Sequence, residues 1–377
     1  MKRVFLLDGL RTHIGLRGGQ WRSTPPEQLA APLLSELTRR YPEKADQVIC
    51  GNAAGTGGNP ARMAALLAGL PEDIPAVTVD LQCASGLSAV ELASLKIRCG
   101  EAELIAAGGF ESSSLQPVRS YQKNDPRYSG EPYICARFSP GEGDDRVMLR
   151  GAERLAKREG VQKEELDFWA LESHRRAREA RNAGMLSDVI LPIGESRDEG
   201  IRDRMSQKLL DRLPPLFPEG ITNAANACPI NDGAAMLLLC SEEYLRRNRL
   251  VPKAEFLGFC TVAGDPAVSP SAAGMAAECL MRRKGLAAGE IGAFEYNEAF
   301  GVIDVLFQRL HPSLTERYNR LGGALAYGHP YGASGAVLLL HLLKSLELSG
   351  EKLGICSIAA AGGQGMSALI ARKEGSD

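Results

Sequence analysis

Residues 77–86 read Val77-Thr78-Val79-Asp80-Leu81-Gln82-Cys83-Ala84-Ser85-Gly86, a β-rich segment that runs straight into a helix. That helix, Ala84–Ile97, carries apolar residues at 87, 90, 92 and 95. The run Leu104–Ala107 then reads as a strand stopped by Gly108-Gly109. The same order of signals returns near the other end of the chain. Ala333-Ser334-Gly335 lies in the first turn of a helix over Tyr331–Leu346, and the next strand closes on Ala359-Ala360-Ala361-Gly362-Gly363. The copies are separated by 249 residues (84 to 333) and by 254 residues (107 to 361). Nearly equal separations point to a duplicated unit of about 110–125 residues, the size of one domain.

Working outward, strand and helix signals alternate on both sides of each copy. Val4–Leu7, Gln47–Cys50 and Ala76–Val79 read as strands, with helices at Pro25–Arg39 and Pro60–Ala68. From 252 onward come strands at Ala254–Phe259, Phe294–Tyr296, Leu353–Ala360 and Met366–Ala371, and helices at Pro270–Lys284 and Ala299–Leu310. This alternation predicts an α/β layer architecture. Between about 113 and 228 the character changes. Charges crowd Glu153–Glu165 and Glu172–Arg181, as on exposed helices that bury one stripe, so this stretch reads as a polar insertion.

Composition narrows the function. The 377 residues hold 44 Lys+Arg against 46 Asp+Glu, so no excess positive charge suggests nucleic acid or an anionic membrane as partner. Nine cysteines, irregularly spaced and without a C-x-x-C pair, argue against a disulfide framework and a structural zinc site. The first residues contain no apolar stretch of signal-peptide length, and the longest apolar runs fall far short of a membrane span. The expected location is the cytoplasm. Neither a P-loop nor a dinucleotide fingerprint is present, so nucleotide hydrolysis and hydride transfer find no support.

Cys83 falls at the start of a helix, where unpaired N–H groups and the macrodipole favour a thiolate. The plain alternative is a buried thiol in a tight turn. His329 lies in a loop with five glycines among residues 322–335, a setting that lets backbone and ligand approach. Its plain alternative is a hydrogen-bonded structural histidine. Asn297-Glu298-Ala299-Phe300 stands at a strand-to-helix junction, either as a cap or as an amide and carboxylate serving an oxyanion. Gly362-Gly363-Gln364-Gly365 either offers backbone N–H groups or is only a hairpin turn. Asn231-Asp232-Gly233-Ala234-Ala235 reads as a turn before the strand Met236–Cys240.

Taken together these residues resemble the thiolases, the acyl-CoA:acetyl-CoA C-acyltransferases. The resemblance runs in order through Arg11-Thr12-x-Ile14-Gly15, Asn59-Pro60-Ala61-Arg62, Cys83-Ala84-Ser85-Gly86 and Gly108-Gly109-x-Glu111-Ser112. It continues through Asn231–Ala235, Asn297–Phe300, Gly328-His329-Pro330 and Gly363-Gln364-Gly365. It implies a five-layered α-β-α-β-α core of two similar halves, with 1–112 plus about 229–251 as the first half, 113–228 inserted and 252–377 as the second. It implies CoA thioesters as substrates, no permanently bound cofactor or metal, a homodimer or homotetramer, and a place in fatty acid metabolism. By the family pattern Cys83 carries the acyl group, and His329 activates it. His329 with Asn297, through a water, forms one oxyanion hole. The backbone N–H groups of Cys83 and Ala361 form the other, and Glu298 supports the Asn297 region. Met148, Asn226 and Cys228 would lie on the CoA side.

The sequence also departs from the pattern. An ungapped alignment of Leu353–Gly365 puts Ala359 where the family carries a second, acid–base cysteine. Cys356 lies three residues earlier, an odd offset that points to the other face of a strand. Asn226-Ala227-Cys228-Pro229 stands in place of Asn-Ala-Ser-Gly, and Val147 stands where a histidine is common. A substitute base would come from His329, Glu298, Cys228 or Cys135. Loss of the Claisen step instead predicts a thioesterase or non-Claisen acyltransferase, and loss of all chemistry a CoA-binding partner subunit.

Overall fold

The computed structural model describes residues 2–135, 137–140 and 146–373. The first part holds β1 (Val4–Arg11), β2 (Gly15–Leu16), α1 (Pro26–Arg39), β3 (Gln47–Gly51), α2 (Pro60–Leu67), β4 (Ala76–Val79), α3 (Ser85–Cys99) and β5 (Leu104–Ser112). Next come α4 (Val147–Arg158), α5 (Lys163–Asn182) and α6 (Gln207–Leu210), then β6 (Asn231–Ser241) and α7 (Glu242–Asn248). The last part holds β7 (Ala254–Ala263), α8 (Ala272–Lys284), β8 (Ala293–Tyr296), α9 (Gly301–Leu310), α10 (Ala324–Tyr327), α11 (Tyr331–Ser349), β9 (Leu353–Ala360) and β10 (Gln364–Arg372).

The strands follow the order β4-β3-β5-β6-β1-β7-β10-β9-β8. In the first set, β3 is parallel to β5, while β6 is antiparallel to both β5 and β1. In the second, β8 is parallel to β9, while β10 is antiparallel to both β9 and β7. The two sets repeat one pattern, as the paired motifs at 84 and 333 predict. They join through two residue pairs, Phe5 with Glu255 and Leu6 with Ala254.

Alternation along the strands separates the layers. Phe5 and Leu7 pack with Leu29 and Leu33 of α1, whereas Val4 and Leu6 join the core around α3 and α11. On β9, Ile355 and Ala359 pack with α8 and α9, whereas Cys356, Ile358 and Ala360 face α11. The result is five layers: α1 and α2, the first set of strands, α3 with α11, the second set, then α8 with α9. α11 is buried at fourteen of its nineteen residues, which places it at the centre. Each fully buried leucine there contributes roughly 1.5–3 kcal/mol.

The repeated Ala-Ser-Gly has a steric cause. A Cβ on Gly86 of α3 would stand 2.5 Å from the Gly332 carbonyl oxygen, and one on Gly335 would stand 2.3 Å from the Leu87 nitrogen. Only glycine lets the first turns of α3 and α11 touch backbone to backbone. That contact brings the Cys83 turn and the His329 loop together.

Two expectations are corrected. Asn231–Ala235 is not a turn but the first half of β6, with Asn231 paired to Leu16 and Asp232–Ala235 to Ser112–Gly109. Its polar side chains have partners inside the sheet edge, with Asn231 Nδ2 donating to the Gly15 carbonyl at 2.7 Å and the Ser114 amide donating to Asp232 at 2.9 Å. Helix α9 begins at Gly301 rather than Ala299, since Phe300 is extended at φ −152°. Asn297–Phe300 therefore form a loop.

Candidate active site

Cys83 stands between β4 and α3. Gln82 before it takes φ +51°, a left-handed conformation uncommon for a residue with a side chain. The turn is locked locally. Asp80 Oδ1 accepts the Gln82 N–H at 2.7 Å, and Ser85 Oγ accepts the Leu81 N–H at 2.8 Å while donating to the Gln82 carbonyl at 2.6 Å. The thiol is left at the N-terminus of α3, reached by its own backbone N–H and by that of Ala361. Burial nevertheless pushes it up to about 12, and the charges of Glu111 and Asp80 act the same way. Resting Cys83 is therefore a thiol, which needs a base when it attacks.

His329 follows Gly328, whose φ of +101° and close approach to Asn231 exclude any side chain. The His329 N–H donates to the Pro229 carbonyl and to Asn231 Oδ1, each at 3.1 Å. Its Nδ1 lies 2.6 Å from Ser334 Oγ, and that hydroxyl donates to the Pro330 carbonyl at 3.2 Å. The Ser334 proton being so used, Nδ1 carries the imidazole proton. Nε2 then presents a lone pair, 3.3 Å from Asn297 Nδ2. Burial pushes the imidazole down to about 3, so it is neutral. Tyr331 packs edge-on against it at 5.0 Å, and burial raises the Tyr331 phenol well above its ordinary range.

Glu298 sits behind Asn297. Its carboxylate accepts from Ser173 Oγ at 2.5 Å, Asn319 Nδ2 at 2.8 Å and the Leu325 N–H at 3.3 Å. It ties α5 to the loop before His329, and with these partners it is an anchor rather than a group facing substrate. Burial raises it above the usual carboxylate range, against those three donors. Asn226 is fully buried and engaged within the protein, donating to Asp167 at 3.1 Å and accepting the Asn223 N–H at 2.8 Å. Met148 on α4 and Cys228 are half-buried and pack against the cluster that contains Ala359 and Phe300. Ala359 is buried there, and Cys356 lies on the opposite face of β9 as its odd offset predicts.

Sequence reasoning missed two partners. Ser334 lies five residues after His329 within a motif noted only for its small residues. Glu111 is buried beside the site, and its carboxylate accepts from Asn52 Nδ2 and the Ala53 N–H at 2.9 Å, the Gly332 N–H at 3.1 Å and the Ala54 N–H at 3.2 Å. Burial pushes it up to about 7. It pins the loop after β3 to the first turn of α11. A glutamate on a strand carries no local signal of partners so far along the chain.

Known proteins share this fold. The family model "Thiolase, N-terminal domain" matches residues 4–243, and "Thiolase, C-terminal domain" matches residues 250–372. A probable acetyl-CoA acyltransferase of Staphylococcus aureus strain COL is 36% identical over 99% of this chain and 100% of its own length. Its counterpart in strain NCTC 8325 / PS 47 is 35% identical over the same shares. The crystal structure of the Bacillus anthracis acetyl-CoA acetyltransferase superposes with a TM-score of 0.90 at 30% identity, covering 99% of both chains.

Proposed function

The chain belongs to the thiolase family, and from that premise we propose that it is an acyltransferase acting on CoA thioesters through an acyl-cysteine at Cys83. In thiolysis a 3-ketoacyl-CoA is cleaved and the acyl group passes to CoA; in reverse two acyl-CoA molecules condense. CoA is a substrate here, and this chemistry needs no resident cofactor. Our reading puts this reaction in the cytoplasm, in fatty acid metabolism.

The reading rests above all on the joint position of Cys83, the Ala361 N–H at its sulfur, and the His329–Asn297 pair across the α3–α11 contact. His329 Nε2 takes the thiol proton as sulfur attacks the carbonyl, splitting one difficult transfer into two steps. The N–H groups of Cys83 and Ala361 receive one developing oxyanion. His329 and Asn297, through a water, receive the other. A donor of this kind is worth about 2.7–4 kcal/mol at the transition state. Glu298 holds the Asn297 loop, and Met148, Asn226 and Cys228 shape the CoA side.

The edge strand β4 supports a homodimer. It pairs with β3 on one side only, and among the described residues no strand pairs its other edge, where the Ala76 carbonyl accepts from Asn59 Nδ2 at 2.9 Å. α2 beside it exposes Met63, Leu66 and Leu67. Light scattering reads the oligomer directly, as monomer, dimer or tetramer.

Intact-mass measurement after mixing with acetyl-CoA tests the reaction. One acetyl group on wild type and none on Cys83→Ala is the expected result, together with acetoacetyl-CoA cleavage by wild type only. A wild type that never acquires the acyl group refutes the proposal. Acyl release as free acid would make the protein a hydrolase.

A further inference from the structure

Carbon–carbon cleavage at this site leaves a carbanion that must be protonated. When Cys83 attacks the 3-keto carbonyl, the C2–C3 bond breaks and its electron pair stays on C2 as the enolate of acetyl-CoA. Some group must give C2 a proton and recover one from the incoming CoA thiol. Ala359 has none to give. His329 Nε2 holds the proton that the departing Cys83 thiolate must regain, its Nδ1 proton is bound to Ser334, and Glu298 is held by its three donors.

Cys228 is clamped between the two loops that carry the chemistry. Its N–H donates to the Ala299 carbonyl at 3.0 Å, and the carbonyl of the next residue, Pro229, accepts the His329 N–H at 3.1 Å. Bridges on either side pair Ala227 with Phe300 and Ile230 with His329. The side chain is half-buried and packs on the same cluster as Ala359. It lies within the electrostatic range of the Cys83 sulfur. A thiol is thus missing at position 359 and present at position 228, packed on the same apolar cluster.

We propose that Cys228 is a catalytic residue, whose thiol protonates C2 of the departing acetyl-CoA enolate. The resulting Cys228 thiolate takes the proton of CoA–SH. The CoA thiolate then attacks the acyl-Cys83 carbonyl, the acyl–sulfur bond to Cys83 breaks, and the Cys83 thiolate regains its proton from His329. Protons and electrons balance over the cycle without an oxidant or a metal. Burial holds Cys228 well above the ordinary thiol range, so the resting group is the protonated donor that the step requires. The inference rests on the acyltransferase reading above.

The test compares wild type with Cys228→Ser, Cys228→Ala and Cys135→Ser in three measurements. These are acetylation of Cys83 by acetyl-CoA, thiolysis of acetoacetyl-CoA, and exchange of the acetyl-CoA methyl protons with D2O. At saturating acetyl-CoA, which absorbs any change in CoA affinity, both Cys228 variants should still take up one acetyl group on Cys83. They should lose roughly 100-fold or more in thiolysis and lose the exchange, the scale of general acid–base catalysis. Thiolysis by Cys228→Ser within threefold of wild type overturns the inference alone. So does a joint loss of acetylation and thiolysis, which marks a structural role, and so does a loss carried by Cys135→Ser instead. A wild type that is neither acetylated nor active removes the acyltransferase reading, and this inference with it.

Discussion

The hydroxyl of Ser334 stands 2.6 Å from Nδ1 of His329 and fixes which imidazole nitrogen is free to act. Because Ser334 donates to the Pro330 carbonyl, it accepts from Nδ1 and leaves the Nε2 lone pair toward Asn297. Ser334→Ala frees the ring to take the other tautomer. The expected result is a fall in kcat of about 10–100-fold, part of the 10²–10⁴ that a well-placed base supplies. KM should change little, since Ser334 is buried behind the histidine. Steady-state kinetics decide it, and unchanged kcat would show that the tautomer is set elsewhere.

Gly86→Ala tests the contact that assembles the site. Its Cβ would meet the Gly332 carbonyl at 2.5 Å, and both atoms belong to helix backbones that have no rotamer to change. Overpacking of this kind costs about 1–3 kcal/mol or more. Thermal unfolding should show the loss. Residual folded protein should have a Cys83 that alkylates normally and acetylates slowly, because α3 and α11 have moved apart. A variant as stable and active as wild type would mean that the helices tolerate separation.

Legibility in the sequence follows the range over which each residue finds its partners. The duplication, Cys83 and His329 are readable because their signals are local: strand, tight turn, small residues, helix. Asn231–Ala235 reads as a turn because Asn, Asp and Gly favour turns in isolation. In the fold their polar groups are satisfied by Gly15 and Ser114, and the segment pairs as a strand instead. Ala299–Phe300 carry helical pattern, yet Cys228 pairs with the Ala299 carbonyl and keeps the loop open. What holds Glu111 and Glu298 is illegible for the same reason. Their partners at 332, and at 173, 319 and 325, become neighbours only when the layers stack.

Glu298→Ala removes the acceptor for the Ser173 hydroxyl, the Asn319 amide and the Leu325 N–H at once. Leaving buried donors unpaired costs about 1–3 kcal/mol each, offset where a water enters. A net loss of about 2–4 kcal/mol is expected in urea unfolding. Activity should fall because the Asn297 loop loosens, and Glu298→Gln, which keeps an acceptor oxygen, should recover most of both. Full stability in Glu298→Ala would contradict the anchor role.

His341 supplies a pH test. It lies on α11 against Tyr327, with ring centroids 5.0 Å apart and an Nε2 that has no hydrogen-bond partner among the described residues. Burial, with Arg11 acting the same way and Asp198 opposing, pushes it down to about 3. The unfolded chain binds this proton near pH 6.5, and the folded chain does so only near 3. Between those values the unfolded state holds more protons, so stability falls as pH falls. At about 1.36 kcal/mol per unit, His341 accounts for roughly 2 kcal/mol lost between pH 6.5 and 5. His329 and His174, pushed down to about 3 and about 4, act in the same direction. Glu111 and Glu295, pushed up to about 7 and about 8, act oppositely, since the folded state holds their protons longer. The difference between wild type and His341→Gln cancels these shared contributions. Urea midpoints at pH 6.5 and 5 should therefore show a shallower acid loss in His341→Gln. Parallel losses in the two proteins would mean that His341 is protonated in the folded state at pH 5.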